Sequence, residues 1–351
     1  MTLPLRRPYA PMEAKSVDSI PVGPQWQYEP KWDGFRCLAF RDGREIELQS
    51  KAGEPLARYF PEMVAALRKV GASRFVLDGE LVIPRGNSVS FDDLLQRIHP
   101  AESRVRKLSE ETPALFIVFD LLVDDKGKSL VARPLSERRM LLEAFAKRYL
   151  RGPGVALSPA SRDRAAALRW FKSAGGALDG VIAKDLDMRY LPGDRIGMQK
   201  IKPRRTAECV VGGFRYASKG DAVGSLLLGL YDAEGLLHHV GFTSSLTESE
   251  RRALVPKLKK LIHPSGFTGD APGGPSRWST KRSTAWEPLL PVLVVEVEYV
   301  HVSGQRFRHG TKFLRYRTDK PPRKCTLEQI RRPEGKLLTL LKGGRRSTDR
   351  K

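Results

Sequence analysis

The chain has 351 residues, 40% of them hydrophobic, and its 62 Lys and Arg against 40 Asp and Glu leave a formal charge of +22. That allows two domains with ordinary cores, argues against wholesale disorder, and makes polyanions, nucleic acid before an anionic membrane, the first candidate partners. Cys37, Cys209 and Cys325 form no Cys-x-x-Cys pair, which argues against a zinc finger or a disulfide framework. No apolar run approaches the ~20 residues of a membrane span, so a soluble protein of a reducing cytoplasm is expected.

Residues 1–27 carry repeated prolines and read as a lead-in segment packed on the surface. Tyr28-Glu29-Pro30-Lys31-Trp32-Asp33-Gly34-Phe35-Arg36 follows, with Lys-x-Asp-Gly-x-Arg at its centre. Asp-Gly favours a turn, and a solvated surface turn accounts for this segment, taken alone, as well as chemistry does. The chemical reading makes Lys31 a nucleophile. An ordinary lysine, with a pKa of about 10.4, is ammonium at neutral pH, so attack needs neighbouring cations, a metal or burial to release the proton. Arg36, just beyond a glycine that permits close backbone approach, could hold a phosphate or ribose.

Residues 37–40 and 45–49 flank Arg41-Asp42-Gly43-Arg44 as the strands of a hairpin, with Ser50-Lys51 at its end. Met63, Val64, Leu67 and Val70 stand at helical spacing over 61–70. The strand expected over 74–84 is interrupted by Asp78, Gly79 and Glu80, and carboxylates in a core strand are costly unless a cation meets them. A buried salt bridge is one reading; beside Lys31, the preferred one turns Glu80 toward a nucleotide pocket, ordering ribose or metal. Ser90 caps a short helix through Ile98, 114–123 is an apolar strand containing Phe119, and 136–149 and 162–171 are amphipathic helices.

Asp179 and Lys184 lie at the two ends of the strand over 178–184, an odd number of residues apart, so a regular strand points them to opposite faces unless a bulge intervenes. Asp179 is the choice for a metal ligand, since hard cations prefer carboxylate oxygen, against a plain turn aspartate before Gly180. Lys200 and Lys202 alternate around Ile201 on one strand face, which suits a triphosphate or a charged edge strand that resists aggregation. Arg195 in the preceding turn could add a phosphate contact. Beyond a boundary near 203–206, strands over 207–214, 224–231, 236–242 and 293–302, a Thr247-x-x-Glu250 capping box and a loop over 264–283 suit a small barrel of the oligonucleotide-binding type or a Greek-key sandwich. Residues 306–320 form a basic rim. Leu337, Leu338, Leu340 and Leu341 suggest a short final helix. Domains are expected over 1–203 and 204–327, with a basic tail over 328–351.

Taken in order, Lys31-Trp32-Asp33-Gly34-Phe35-Arg36, Leu77-Asp78-Gly79-Glu80, Phe119-Asp120, Asp179-Gly180-Val181-Ile182-Ala183-Lys184 and Lys200-Ile201-Lys202 resemble the successive motifs of the covalent nucleotidyltransferases. Arg308 and Arg317-Thr318-Asp319-Lys320 resemble the final motif of their barrel domain. Over residues 11–327 the chain is similar to ATP-dependent DNA ligases of the small bacterial C type, with runs such as Gln96-Arg97-Ile98-His99-Pro100 adding to the likeness. The resemblance implies an α+β fold: an ATP-grasp-like nucleotidyltransferase domain of antiparallel sheets and flanking helices, then an all-β OB-fold domain. It implies ATP, Mg²⁺ or Mn²⁺, nicked duplex DNA, a monomer, and repair partners of the end-binding or polymerase kind.

By the same resemblance Lys31 takes AMP, the Glu29 backbone meets the adenine and Phe119 stacks on it. Arg36 and Glu80 hold the ribose and its surroundings, Lys200 and Lys202 grip the α-phosphate, and Glu80 and Asp179 serve the metal. Arg308 and Arg317 orient pyrophosphate, and Lys51 contacts a DNA 5′-phosphate. Three features depart from the family pattern: Asp179 stands where Glu is usual, Ser50-Lys51 where Ser-Arg is frequent, and the run from Arg308 to Phe313 is one residue longer. An RNA ligase or capping guanylyltransferase would share the lysine, and a silent nucleic-acid-binding protein would share the fold.

Overall fold

The computed structural model describes residues 2–173, 178–217, 221–273, 285–331 and 341. The chain divides into two compact units, with the boundary between Pro203 and Arg204. The main elements of the first, in chain order, are β1 (Lys15–Ser16), β2 (Trp26–Trp32), β3 (Phe35–Asp42), β4 (Glu45–Ser50), α1 (Pro61–Arg68), β5 (Arg74–Val82), α2 (Phe91–Gln96) and α3 (Glu102–Glu111). They continue through β6 (Leu115–Val123), α4 (Leu135–Tyr149), β7 (Val155–Leu157), α5 (Arg164–Lys172), β8 (Leu178–Asp185) and β9 (Met198–Ile201).

These strands form two sheets, one ordered β1-β9-β8-β2 and the other β4-β3-β5-β6-β7. Only β1 with β9 and β6 with β7 pair in parallel. Both faces of the second sheet are covered, so its strands read as nearly continuous apolar runs. Cys37, Ala39, Phe75 and Leu77 on one face pack with Met63 and Leu67 of α1 and Leu142 and Phe145 of α4. Leu38, Phe40 and Val76 on the other face pack with Met198 and Tyr190, which join this sheet to the first. Helix α5 covers β2 and β8 through Ala167 and Trp170.

Ser90 caps α2 as expected, accepting a hydrogen bond from the Asp93 amide at 3.1 Å. Helix α3 was not foreseen: in Glu-Ser-Arg-Val-Arg-Lys-Leu-Ser-Glu-Glu only Val105 and Ser109 are buried, too narrow a stripe to give a helical signature. The lead-in segment is also more than surface, since Leu3 and Met12 are buried.

The second unit contains β10 (Arg205–Tyr216), β11 (Val223–Tyr231), β12 (Leu237–Thr243), α6 (Glu248–Lys259), β13 (Val294–Tyr299) and β14 (Lys312–Tyr316). They form an antiparallel sheet ordered β12-β11-β10-β13-β14, with Glu287–Pro288 pairing alongside β10. Bulges in β10 and β11 curl the sheet, and a bridge from Thr243 to Thr311 brings its two edges together. The Thr247–Glu250 capping box starts α6, which lays Leu254 and Leu258 on the barrel core of Val210, Phe214, Leu228 and Val295. Ile330 is buried in that core as well. The expected helix around Leu337, Leu338 and Leu340 lies outside the described residues. The three cysteines are free and buried, and among the described residues no helix is long and apolar enough to cross a membrane.

Candidate active site

The lysine motif links the two sheets. Strand β2 belongs to one and β3 to the other, so Asp33-Gly34 carries the chain between them and is not a solvated surface turn; Trp32 is 3% exposed. Gly34 is required by close approach, since a Cβ there would lie 2.1 Å from the Leu81 carbonyl oxygen. Strand register then decides what faces the gap. Lys31 pairs with Gly180, Glu29 with Ile182 and Ile182 with Lys200. Period-2 alternation therefore puts Glu29, Lys31, Ile182, Lys184, Met198 and Lys200 on one face of the first sheet. Across from them, Arg36 pairs with Glu80 on the second. A cavity of about 540 Å³ lies between, lined by these residues with Phe119, Lys51 and the lead-in residues Pro11 to Ala14.

Lys31 is 23% exposed on its side chain, and its Nζ lies 2.5 Å from Oδ2 of buried Asp179, an oxygen that Lys202 Nζ also approaches at 2.9 Å. A bulge makes this possible: the register shifts between Leu178 and Gly180. Gly180 takes a φ of +134°, and a Cβ there would lie 2.0 Å from the Ile201 carbonyl oxygen. The bend lets Asp179, which a regular strand would turn to the other face, reach Lys31, while Lys184 lines the cavity by plain alternation with Ile182. Lys184 is a site residue that reading the sequence passed over, and a lysine inside an apolar strand was the signal for it. Its Nζ is 2.7 Å from Glu29 Oε2 and 4.6 Å from the centre of the Phe119 ring.

Arg36 forms a two-pronged bond to Asp78 at 2.5 and 2.6 Å, and its guanidinium stands 4.6 Å from the Phe119 ring centre. The Tyr190 hydroxyl donates to Asp78 at 2.8 Å and accepts from the Met12 amide at 2.9 Å. The two carboxylates of β5 thus divide: Asp78 is the buried salt bridge, and Glu80 turns to the cavity with no ion pair among the described residues. Burial pushes the Glu80 carboxyl up to about 7, against the opposing pull of Lys31 and Arg36. At the rim, the Glu13 carboxylate lies 3.0 Å from Lys51 and 3.3 Å from Arg195.

The electrostatics of Lys31 differ from the expectation of a depressed ammonium. Burial is the largest influence and does push it down, but Asp179, Glu80 and Asp33 together outweigh burial and leave it raised. Lys200 is the group held low, by burial and then by Lys202, Lys31, Lys51 and Arg195. Among the described residues Lys200 is also the cation of this site with no acidic partner.

As a test for a divalent cation, Glu80 fits: a cavity-facing acid that burial makes reluctant to ionise gains from added positive charge. Asp179 fits less well, because Oδ2 already serves two ammonium groups. No group of three His, Cys, Asp or Glu side chains suited to a metal occurs among the described residues, so a cation here would complete its shell with water and phosphate oxygens.

Arg308 and Arg317 belong to the second unit. The Arg317 guanidinium binds Asp319 at 2.7 and 2.9 Å and also Glu208, which Lys320 approaches at 2.5 Å. These partners hold the Arg317 guanidinium well above its ordinary value, the Asp319 hydrogen bond foremost.

Residues 11–202 match the ATP dependent DNA ligase domain, and residues 219–320 match the ATP dependent DNA ligase C terminal region. DNA ligase C2 of Mycolicibacterium smegmatis is 47% identical over 95% of this chain and 97% of its own length. The multifunctional non-homologous end joining DNA repair protein LigD of Mycobacterium tuberculosis is 30% identical over 87% of this chain, which spans only 38% of that protein. A solved Lig E DNA ligase structure, 19% identical, is similar over 88% of this chain and 99% of its own with a TM-score of 0.54, and shares the fold. By the match of both units and the identity along nearly its whole length, the chain belongs to the ATP-dependent DNA ligases, with the small C-type bacterial enzymes among its relatives.

Proposed function

We propose that the chain seals nicks between a 5′-phosphate and a 3′-hydroxyl in duplex DNA through an adenylate carried on Lys31. The Lys31 amine attacks the α-phosphorus of ATP, forming a P–N bond as the P–O bond to pyrophosphate breaks. The 5′-phosphate of the nick then takes the AMP, breaking the P–N bond and freeing the lysine. Finally the 3′-hydroxyl attacks the 5′-phosphorus, closing the backbone and releasing AMP. The observation that carries this reading is Lys31 lining the cavity between the two sheets, bonded to an Asp179 shared with Lys202, beside a Lys200 that lacks an acidic partner among the described residues.

In this scheme Asp179 aligns the amine and is the group placed to accept its proton, while Lys202 draws charge from Asp179. Lys200 binds the α-phosphate, Phe119 and the Glu29 backbone hold the adenine, and Arg36 meets the ribose. Glu80 is the residue that would hold Mg²⁺ or Mn²⁺, together with phosphate oxygens. Such a cation supplies stabilisation of the negative charge that builds on phosphoryl oxygen. Charge delivered near Glu80 also weakens the acidic field that keeps Lys31 protonated. Arg308 and Arg317 are assigned to pyrophosphate by their motif, and Lys51 to the DNA. A role in break repair is supported by the end-joining relative; end-binding or polymerase partners are what the family resemblance implies.

The test is labelling of the full chain with ATP radioactive at the α-phosphate, then sealing of a 5′-phosphorylated nick. Label expected on the wild type and absent from Lys31→Ala would be followed by ATP-dependent DNA sealing. Label from GTP instead, or sealing confined to RNA, would transfer the reading to capping enzymes or RNA ligases; no label at all would end it.

A further inference from the structure

Glu13 has no place in the scheme above, yet it sits at the mouth of the same cavity. It comes from the lead-in segment, which two backbone bonds pin to the turn before β9: Glu13 N to Asp194 O at 2.7 Å and Gly193 N to Pro11 O at 3.3 Å. That anchoring aims the side chain at the cavity rim, where one oxygen, Oε2, meets Lys51 Nζ at 3.0 Å and Arg195 Nη2 at 3.3 Å. Among the described residues Glu13 is the only acidic partner of either cation. Both are otherwise well exposed, with side chains 58% and 67% accessible, whereas the Glu13 side chain is 24% accessible.

One oxygen gripped by a lysine and an arginine at the edge of a polyphosphate-sized cavity is the arrangement a phosphate oxygen would adopt. We propose that the Glu13 carboxylate stands in for a substrate phosphate, holding Lys51 and Arg195 in the empty protein until a phosphate group displaces it. This rests on reading the cavity as the adenylation site. The Lys51 hydrogen bond keeps the Glu13 carboxyl below the usual glutamate range, so the stand-in is charged at any working pH. A phosphate arriving at the pair must exchange partners with it and meets its repulsion, while a neutral or cationic group finds the cations already taken. Glu13 thereby makes occupancy of the rim depend on a ligand with more negative charge than one carboxylate, such as a phosphate dianion. Two sources have that chemistry, the tail of ATP and the 5′-phosphate of the nick.

The test uses the full chain and Glu13→Gln, which keeps the shape and deletes the charge. Formation of the lysyl adenylate by the wild type is established first, so that failure of the site reading is seen separately. One arm measures the dissociation constant of ATP. The other measures binding of the adenylated protein to nicks bearing a 5′-phosphate or a 5′-hydroxyl. Glu13→Gln is expected to tighten binding roughly three- to tenfold in the arm whose phosphate reaches the rim, as for a partly exposed ion pair released. In the DNA arm the gain appears with the 5′-phosphate and not with the 5′-hydroxyl. The gain must also vanish in a Lys51→Met background, which separates a stand-in from a general change in surface charge. Unchanged or weaker binding in both arms, with thermal stability retained, overturns the proposal and makes Glu13 a brace for the lead-in segment.

Discussion

Glu80→Gln offers a test in which folding and chemistry move in opposite directions. Burial pushes this carboxyl from an ordinary value near 4.5 to about 7. Because the folded value lies above the unfolded one, ionisation costs stability. The cost is absent below about pH 4.5, grows as pH rises through about 7, and is complete above it. The gap corresponds to at most about 3 kcal/mol. A neutral amide of the same shape escapes this cost, so Glu80→Gln should match the wild type near pH 4.5 and exceed it at pH 8.5. For a unit of this size the gain is roughly 5 to 10 °C in Tm, read by calorimetry as a shift of the transition that Mg-ATP also moves. Lysyl-adenylate formation by the same variant should fall at least tenfold. A stability difference that stays flat with pH, or a variant less stable than the wild type at pH 8.5, would refute the burial account of Glu80.

Asp179→Asn removes the charge that Lys31 and Lys202 share. The Lys31 ammonium should lose part of its elevation, so the alkaline-rising limb of single-turnover adenylation moves to lower pH while the maximum rate falls by about a hundredfold, the scale of losing one charge-assisted hydrogen bond that aligns the amine. Lys200→Met should raise the ATP dissociation constant by roughly ten- to a hundredfold, as expected for one charge-assisted phosphate contact, measured by titration. Gly34→Ala drives a methyl into the Leu81 carbonyl oxygen and should cost about 3 kcal/mol or more, seen as a lower Tm or insoluble protein. Sealing should fall steeply between low and moderate salt if duplex DNA is gripped through its phosphates.

Much of this was legible because the strands follow simple periods. The hairpin around Gly43, the cap at Ser90 and the capping box at Thr247 stand where local chemistry puts them. The order of the motifs carried the fold. What stayed hidden depends on register. No local pattern says that β2 and β3 enter different sheets, which is what converts Asp33-Gly34 from a surface turn into the bridge of the site. Nor does the spacing of Asp179 and Lys184 reveal the bulge at Gly180 that brings both to bear on the same group of residues. The raised Lys31 pKa was missed because burial and acidic neighbours act in opposition, and their balance depends on distances that a sequence does not contain. Glu13 was invisible for a plainer reason: it contacts residues 38 and 182 positions away along the chain, from within a proline-rich stretch.

The pairing pattern of the site says why so cationic a cavity can fold without its nucleotide. Arg36 has Asp78, Lys184 has Glu29, Lys31 and Lys202 share Asp179, and Lys51 and Arg195 share Glu13. A charge left alone in the interior costs several kcal/mol, so Asp78, Glu29 and Asp179 stabilise the empty unit by matching the cations before any phosphate arrives, whereas the exposed Glu13 pairs contribute little. On the proposed reading, nucleotide binding at most of these groups would be an exchange of partners, with Lys200 as the exception. The acids consequently fall into two kinds. Removing Asp78 or Asp179 leaves a half-buried cation unmatched and should destabilise the first unit, whereas removing the charge of Glu80 relieves an acid that has no ion pair among the described residues. That opposition of sign, within one cavity and between residues two apart on one strand, separates acids that hold the site together from an acid that waits for added positive charge.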